Sequence, residues 1–415
     1  MNNNVETQNL LDLKVRLADL EQKHREFIQN KKQMNPSDNF KVNLTTKIPQ
    51  DKVRTALTTS AISDKPLISN EMGVSKIFEP TNGPVGLDIG TSHIVLAVDM
   101  GDHIKTTKQL NAFFTVPATN FTKNTLTAKN ILFFELNNLL YITGYAADSF
   151  ANMFNTNTRR PIEKGMLSAK ETNEGQGIAV IASLINSITS GPKVNGETIC
   201  FSVPGPPLDA SGNDTSSLYH QSMIKNHLNS LGYSPISINE GLAIVMSELS
   251  EDDFTGIGIS MGGGMCNVCF SFLSVPVITY SIRFGGDYVD LMAGQSLGIP
   301  ATKVKIFKEK SLDLENPFKD KVSTALAIFY EDLIIKLVNS LKKIIDRSEN
   351  LPVISQAVPI VLSGGSALPN GVRRMFEDIL KKITLQVEIS SVRLAVDPLN
   401  STAKGALIMA MTEKL

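Results

Sequence analysis

The sequence predicts an α/β protein built as two lobes. From about Val85 to the end, apolar β-rich runs alternate with helical patterns, which argues layered α/β structure. Two glycine-rich turns, far apart in the chain, share one form: a β-rich segment, a glycine turn and a second β-rich segment. The first is Gly86-Leu87-Asp88-Ile89-Gly90-Thr91-Ser92, running into residues 93–98. The second is Gly256-Ile257-Gly258-Ile259-Ser260-Met261-Gly262-Gly263-Gly264, running into residues 265–270. A third turn, Ser363-Gly364-Gly365-Ser366, follows an apolar run and precedes a helical pattern. Their spacing suits turns drawn from two halves of a bilobed fold.

The bulk numbers agree with a globular chain. Its 415 residues are 42% apolar and 20% charged, enough for two or three domains with ample core. A net charge of -1 gives no general electrostatic case for nucleic acid or an acidic membrane surface. No apolar run is long enough to span a membrane, and the N-terminus lacks a signal-peptide pattern. A cytoplasmic setting follows, with peripheral membrane contact left open. Cys200, Cys266 and Cys269 are too few for a secreted disulfide scaffold. Cys266 and Cys269 lie three apart in a strand pattern and so point to opposite faces, which reads as buried thiols rather than a metal pair.

Residues 1–30 carry Leu10, Leu13, Leu17, Leu20 and Phe27 at helical spacing and read as an amphipathic helix. That helix suits either docking on its own domain or recruiting another protein, a membrane-associated partner or a second copy. Residues 31–80 are polar, without sustained periodicity, and read as a flexible tether. The expected globular parts are a first lobe at 85–245, a second at 246–400 and a closing helix at 401–415. Strands are expected at 86–87, 94–98, 131–134, 140–142, 198–203, 257–259, 266–270, 277–282 and 360–362. Helices are expected at 175–189, 216–231, 240–248, 287–297, 301–309, 319–347, 371–382 and 401–410.

The turns carry the chemistry. Glycine lets backbone N–H groups approach phosphate oxygens without interference from Cβ. Asp88, at a strand end, can hold a hydrated magnesium ion against those phosphates, and Thr91 and Ser92 offer hydroxyls. Taken singly, each turn is equally compatible with an ordinary hairpin.

Together, and in order, they resemble the actin-like ATPase superfamily, the fold shared by actin, the heat-shock chaperone ATPase domain, sugar kinases and the bacterial filament proteins MreB and FtsA. The first turn resembles its phosphate-1 motif, the second its phosphate-2 motif and the third its adenosine motif. Arg160-Pro161 with Gly165, Asn239-Glu240-Gly241, and Ser281-Ile282-Arg283-Phe284-Gly285-Gly286-Asp287 resemble segments of the MreB, FtsA and PilM branch. The resemblance covers about 85–415. It implies two duplicated RNase H-like βββαβα domains closing on ATP or ADP with magnesium. Gly90, Thr91, Ser92, Gly262, Gly263 and Gly264 would line the phosphates. Gly364, Gly365, Ser366 and Lys308 would sit near the nucleoside, and Asp88 would hold magnesium through water.

Departures from the pattern bear on hydrolysis. The phosphate-2 aspartate is replaced by Ser260, the following threonine by Met265, and the next acidic position by Asn267. Aligning Gly232 with the family's helix-ending glycine puts Gln221 near the hydrolytic position, where it can orient water or lie on a solvated helix face. Lys308 matches the usual lysine of the adenosine-contact helix, and Lys305 replaces the usual glutamate. Helical patterns fill the stretch between Gly286 and Gly364, so the small subdomain IIB is expected to be reduced. The resemblance thus implies an MreB- or FtsA-type cytoskeletal or scaffold protein whose assembly or partner contacts respond to nucleotide, with weak ATPase activity as a further option. The alternative is a non-hydrolysing, PilM-like adaptor. A sugar-type kinase lacks a candidate catalytic aspartate, and a chaperone would be expected to carry a substrate domain after the core.

Overall fold

The computed structural model describes residues 79–154, 158–167, 174–209, 216–348, 351–352 and 356–413. The expectations for residues 1–30, and for nearly all of 31–80, lie outside the described residues. The first half begins with three antiparallel strands, β1 (Val85–Ile89), β2 (His93–Asp99) and β3 (Ile104–Leu110). An inserted unit follows: β4 (Phe113–Pro117), α1 (Asn120–Ala128), β5 (Phe133–Leu136), β6 (Leu139–Thr143), α2 (Tyr145–Met153), and the two-residue strands β7 (Ile162–Glu163) and β8 (Met166–Leu167). Then come α3 (Glu174–Asn186), β9 (Thr198–Val203), α4 (Ser216–Ser230), β10 (Ser234–Asn239) and α5 (Glu240–Glu248).

The second half repeats the plan. It runs β11 (Gly256–Met261), β12 (Cys266–Phe272), β13 (Val275–Ile282), α6 (Gly286–Leu297), α7 (Ala301–Ser311), α8 (Lys321–Ile345), β14 (Val358–Ser363), α9 (Val372–Leu380), β15 (Ile389–Leu394) and α10 (Ser401–Thr412). The two main sheets have matching orders, β3-β2-β1-β9-β10 and β13-β12-β11-β14-β15. In each, the first three strands are antiparallel and the last two join in parallel. The duplicated α/β plan implied by the resemblance is therefore present. Among the described residues no strand lies between β13 and β14, and α6, α7 and α8 fill that interval. Subdomain IIB is reduced to helices.

Strand alternation decides which residues face the other lobe. On β1, Val85, Leu87 and Ile89 join the core beneath α3 and α4, together with Ile181, Leu184 and Leu228. Gly86 and Asp88 must then point to the opposite face, because successive side chains alternate. The same holds in β11: Ile257, Ile259 and Met261 enter the larger core with Leu333 and Leu337 of α8. Gly258 and Ser260 face inward. Asp88 and Ser260 thus occupy equivalent positions on facing surfaces. Cys266 and Cys269 of β12 are free and fall into different core clusters, as their spacing predicts.

Two helices fill the junction. The chain leaves β10 into α5, which packs on β11 and β12 of the second sheet. It returns after β15 into α10, which packs on β1, β2 and β9 of the first. The expected boundary at 245/246 thus falls within α5. Asn239 caps α5, its side-chain oxygen accepting from the N–H groups of Gly241 (2.9 Å) and Leu242 (3.3 Å). Where α10 crosses α5, a Cβ on Gly405 would overlap the backbone of Ala243, so the contact requires glycine.

A third connection runs largely through backbone. Residues 205–208, just past β9, lie along the edge of β13. Ser281 N–H donates to Pro206 O at 2.9 Å, Leu208 N–H donates to Ser281 O at 3.0 Å, and Pro207 bridges Ser281 in parallel. Chain from the first half thereby covers the free edge of the second sheet.

Candidate functional site

The two hairpin turns meet at the mouth of an interlobe cleft of about 540 Å³. In the first, Gly90 N–H donates to His93 O at 2.9 Å, and Asn111 Nδ2 donates to Gly90 O at 2.8 Å. In the second, Gly262 N–H donates to Met265 O at 3.0 Å. The turns abut closely. A Cβ on Gly263 would lie 2.7 Å from Ser92 Oγ, and one on Gly264 2.7 Å from Thr91 Oγ1. The N-terminus of α6 braces the second turn, with Gly286 N–H donating to Gly262 O (2.9 Å) and Asp287 N–H to Gly263 O (2.8 Å). Ser366 Oγ, from the third turn, also donates to Gly262 O at 2.9 Å. Gly364 adopts φ +92°, a left-handed conformation suited to glycine, and its N–H donates to Pro398 O at 2.8 Å.

Two carboxyl groups lie on the floor. Asp88 Oδ1 accepts from Ser202 Oγ at 2.8 Å, and that oxygen accepts from Ile89 N–H at 3.0 Å. Burial pushes the Asp88 carboxyl up to about 6, with the Ser202 bond and the Lys108 charge pulling the other way. Glu240, the first residue of α5, accepts from Ser260 Oγ at 3.0 Å. Burial and then the Asp88 charge push it up to about 8, against the hydrogen bond from Ser260. A proton held between neighbouring buried carboxyls is the usual outcome of like-charge crowding.

The lobes are also latched across the mouth. Arg160 Nη1, from just before β7, lies 2.7 Å from Asp287 Oδ2 in the first turn of α6. Beside this pair the Met265 side chain fills the space over Gly165, where any Cβ would collide with it.

A family model described as Volactin matches residues 84–410. The chain belongs to the Volactin family. Among solved structures, the MamK double helical filament superimposes with a TM-score of 0.60 at 17% identity, covering 80% of this chain and 99% of that one. MreB 5 of Spiroplasma citri bound to AMPPNP gives 0.57 at 14% identity, over 81% and 98%. A non-polymerising MamK mutant bound to AMPPNP gives 0.50 at 17% identity, over 80% and 100%. These neighbours share the actin-like ATPase fold, and the Volactin-family chain has it too. A comparison with curated proteins returned no match.

In this Volactin-family cleft, Asp88, Gly90, Thr91, Ser92, Gly262, Gly263, Gly264, Lys308, Gly364, Gly365 and Ser366 all line one space. Gln221 does not line it. Its Nε2 donates to Ser237 Oγ at 2.8 Å on the exposed side of α4 and β10, because Ile224 and Leu228 take the inward stripe of that helix. Its neighbour His220 is buried, and its Nδ1 accepts from Leu167 N–H at 3.3 Å. The cleft is instead lined by Glu240, which the sequence carries in the Asn239-Glu240 helix start, where nothing but the fold marks its carboxyl as facing this space. Lys308 lines the cleft, but its ammonium donates to Asp290 Oδ2 (2.7 Å) and Gly286 O (3.1 Å), bracing α6. His93 and Lys108 also line the space. Burial pushes His93 down to about 4, aided by the charges of Lys108, Lys305 and Arg160, so it is neutral at pH 7.

Among the described residues no group of three or more His, Cys, Asp or Glu converges on a metal position. The donors on the floor still fit magnesium, which keeps several waters and takes one or two carboxylates together with phosphate oxygens. Asp88, Glu240 and the Ser260 hydroxyl provide that partial set. Among the same residues no helix is long and apolar enough to cross a membrane.

Proposed function

We propose that this chain is a nucleotide-responsive, actin-like assembly protein that binds ATP or ADP with magnesium in its interlobe cleft. The observation that carries this reading is the abutment of the Thr91–Ser92 turn of one lobe on the Gly262–Gly264 turn of the other, directly above Asp88 and Glu240. Backbone N–H groups and hydroxyls from both lobes then face one polyphosphate, so bound nucleotide favours the closed arrangement. Gly364, Gly365 and Leu368 offer a flat, partly apolar surface for the nucleoside. Asp88 would hold the magnesium ion through water, and the ion when bound supplies positive charge against the phosphates.

Glu240 is the group suited to a water beside the terminal phosphate. Ser260 Oγ fixes one carboxylate oxygen, leaving the other to accept a proton. With the carboxyl protonated near neutral pH, and Ser260 in place of a second aspartate, turnover is expected to be slow. Self-association is the assembly this reading expects, and the filament described for the structural neighbour MamK supports it. Residues 1–30 would add a recruitment segment for a protein or a membrane-associated partner on a tether that raises local concentration. The adaptor reading differs in predicting nucleotide binding without turnover or assembly, and Ser260 favours it.

Calorimetric titration with ATP and magnesium tests the site. Asp88→Ala should weaken binding by about tenfold or more, the loss of a charge-assisted contact to the ion shell. Wild-type affinity in that variant would remove the site assignment.

A further inference from the structure

Equivalent positions in the two lobes differ in a way that points to one more nucleotide contact. In the first sheet Asp88 pairs directly with Val95, and Val95 with Lys108. In the second, Ser260 pairs with Asn267, and Asn267 with Ser281. Directly opposed residues project from the same face of a sheet. Each lobe therefore presents a row of three side chains toward the other. The second row is uncharged, and its outer member is closed off: Ser281 Oγ donates to Gly205 O at 2.8 Å, and its N–H donates to Pro206 O. The first row ends in an ammonium group.

We propose that Lys108 is a nucleotide-binding residue whose ammonium contacts the polyphosphate in the cleft and lowers the site's demand for a divalent cation. The proposal rests on the nucleotide reading given above. Strand spacing puts the Asp88 and Lys108 backbones about 10 Å apart, and the four-carbon lysine stem can lie over Val95 with its head in the cleft. Val95 is buried, and Asp88, Val95 and Lys108 all line the same space. Among the described residues the Lys108 ammonium makes no hydrogen bond or ion pair, while its backbone stays in the β2–β3 ladder. Three other cations near the phosphate turns are engaged, Lys308 with Asp290, Arg160 with Asp287, and Lys305 at 3.8 Å from Glu309, while Lys310 also lines the space. The Lys108 charge is felt on both sides of the cleft. It opposes the burial that raises Asp88, and with Lys404 and Asn400 it outweighs burial at Asp397. Relative to a floor with two aspartates, Ser260 removes one negative charge and Lys108 adds a positive one. Both changes make an anionic ligand less dependent on metal.

Full-length wild type, Lys108→Met and Lys108→Arg should be titrated calorimetrically with ATP, ADP and adenosine, each with magnesium and with EDTA. Thermal melts confirm folding, which methionine's similar stem on the edge strand β3 favours. Lys108→Met should lose about tenfold to hundredfold in ATP and ADP affinity, more in EDTA than with magnesium. Adenosine binding should not change, and Lys108→Arg should recover most of the loss. Unchanged ATP affinity in the folded Lys108→Met protein overturns the assignment while leaving the nucleotide reading intact. An equal loss for adenosine also overturns it, because that marks a packing role. A wild type that binds none of the three ligands overturns the nucleotide reading, and the assignment with it.

Discussion

At Glu240, burial and a neighbouring carboxyl act in the same direction, and stability should register it. The folded-state value of about 8 lies above the ordinary 4.5. Above pH 4.5 the unfolded chain releases this proton while the folded chain keeps it, so the folded state binds more protons. Stability of the metal-free protein is thus highest below that range and falls as pH rises through 8. The loss is on the order of a few kcal/mol. Glu240→Gln should abolish most of the fall, and melting temperatures of both proteins from pH 5 to 9 in EDTA check it. A wild-type curve as flat as the variant's would mean the carboxyl is not held protonated. The floor residues were unequally legible in the sequence. Asp88 stands out because a glycine turn frames it, and Ser260 because it departs from a pattern. Glu240 sits in an ordinary helix start, and only the fold brings its carboxyl to Ser260. Lys108 lies in Lys105-Thr106-Thr107-Lys108-Gln109, polar at every position, so alternation marks neither strand nor face.

Among elements, the latch is the part most open to test. Arg160 and Asp287 are both partly exposed, so their pair contributes only about 0–1 kcal/mol to stability. Its position matters more than its strength, because it joins the β7 region of one lobe to the first turn of α6 in the other. Arg160→Ala should leave the melting temperature nearly unchanged while releasing bound nucleotide several-fold faster. Stopped-flow release of a fluorescent ATP analogue measures this, and an unaltered release rate would show that the pair does not hold the cleft. Elements with strong apolar periodicity were legible to within a few residues: α8 was expected at 319–347 and runs Lys321–Ile345. Those without it were not. The edge strands β3, β10 and β15 and the helices α1 and α2 were not anticipated, and a strand expected at 131–134 runs Phe133–Leu136. An edge strand or the helix of a small inserted unit buries little surface, and its sequence is correspondingly unconstrained.

Across the whole molecule, nucleotide state should govern assembly. Pelleting and negative-stain microscopy should find filaments or oligomers of the full chain with ATP, fewer with ADP and fewest without nucleotide. A chain starting near Pro80 should assemble through the same lobes, since the duplicated fold lies wholly within 85–412. A nucleotide-bound monomer under all conditions would favour the adaptor. The crossing of α10 over α5 bears on how such a signal would travel. Gly405 and Ala243 leave no side chain between the two helices, and a close-packed contact of backbone on backbone has almost nothing to compress. Under the assembly reading it would work as a pivot rather than a cushion. A small change in the gap between the phosphate turns would become a swing about that point, magnified with distance like the end of a lever. The widest displacements would fall at the outer rims of the lobes, where a neighbouring subunit would feel them.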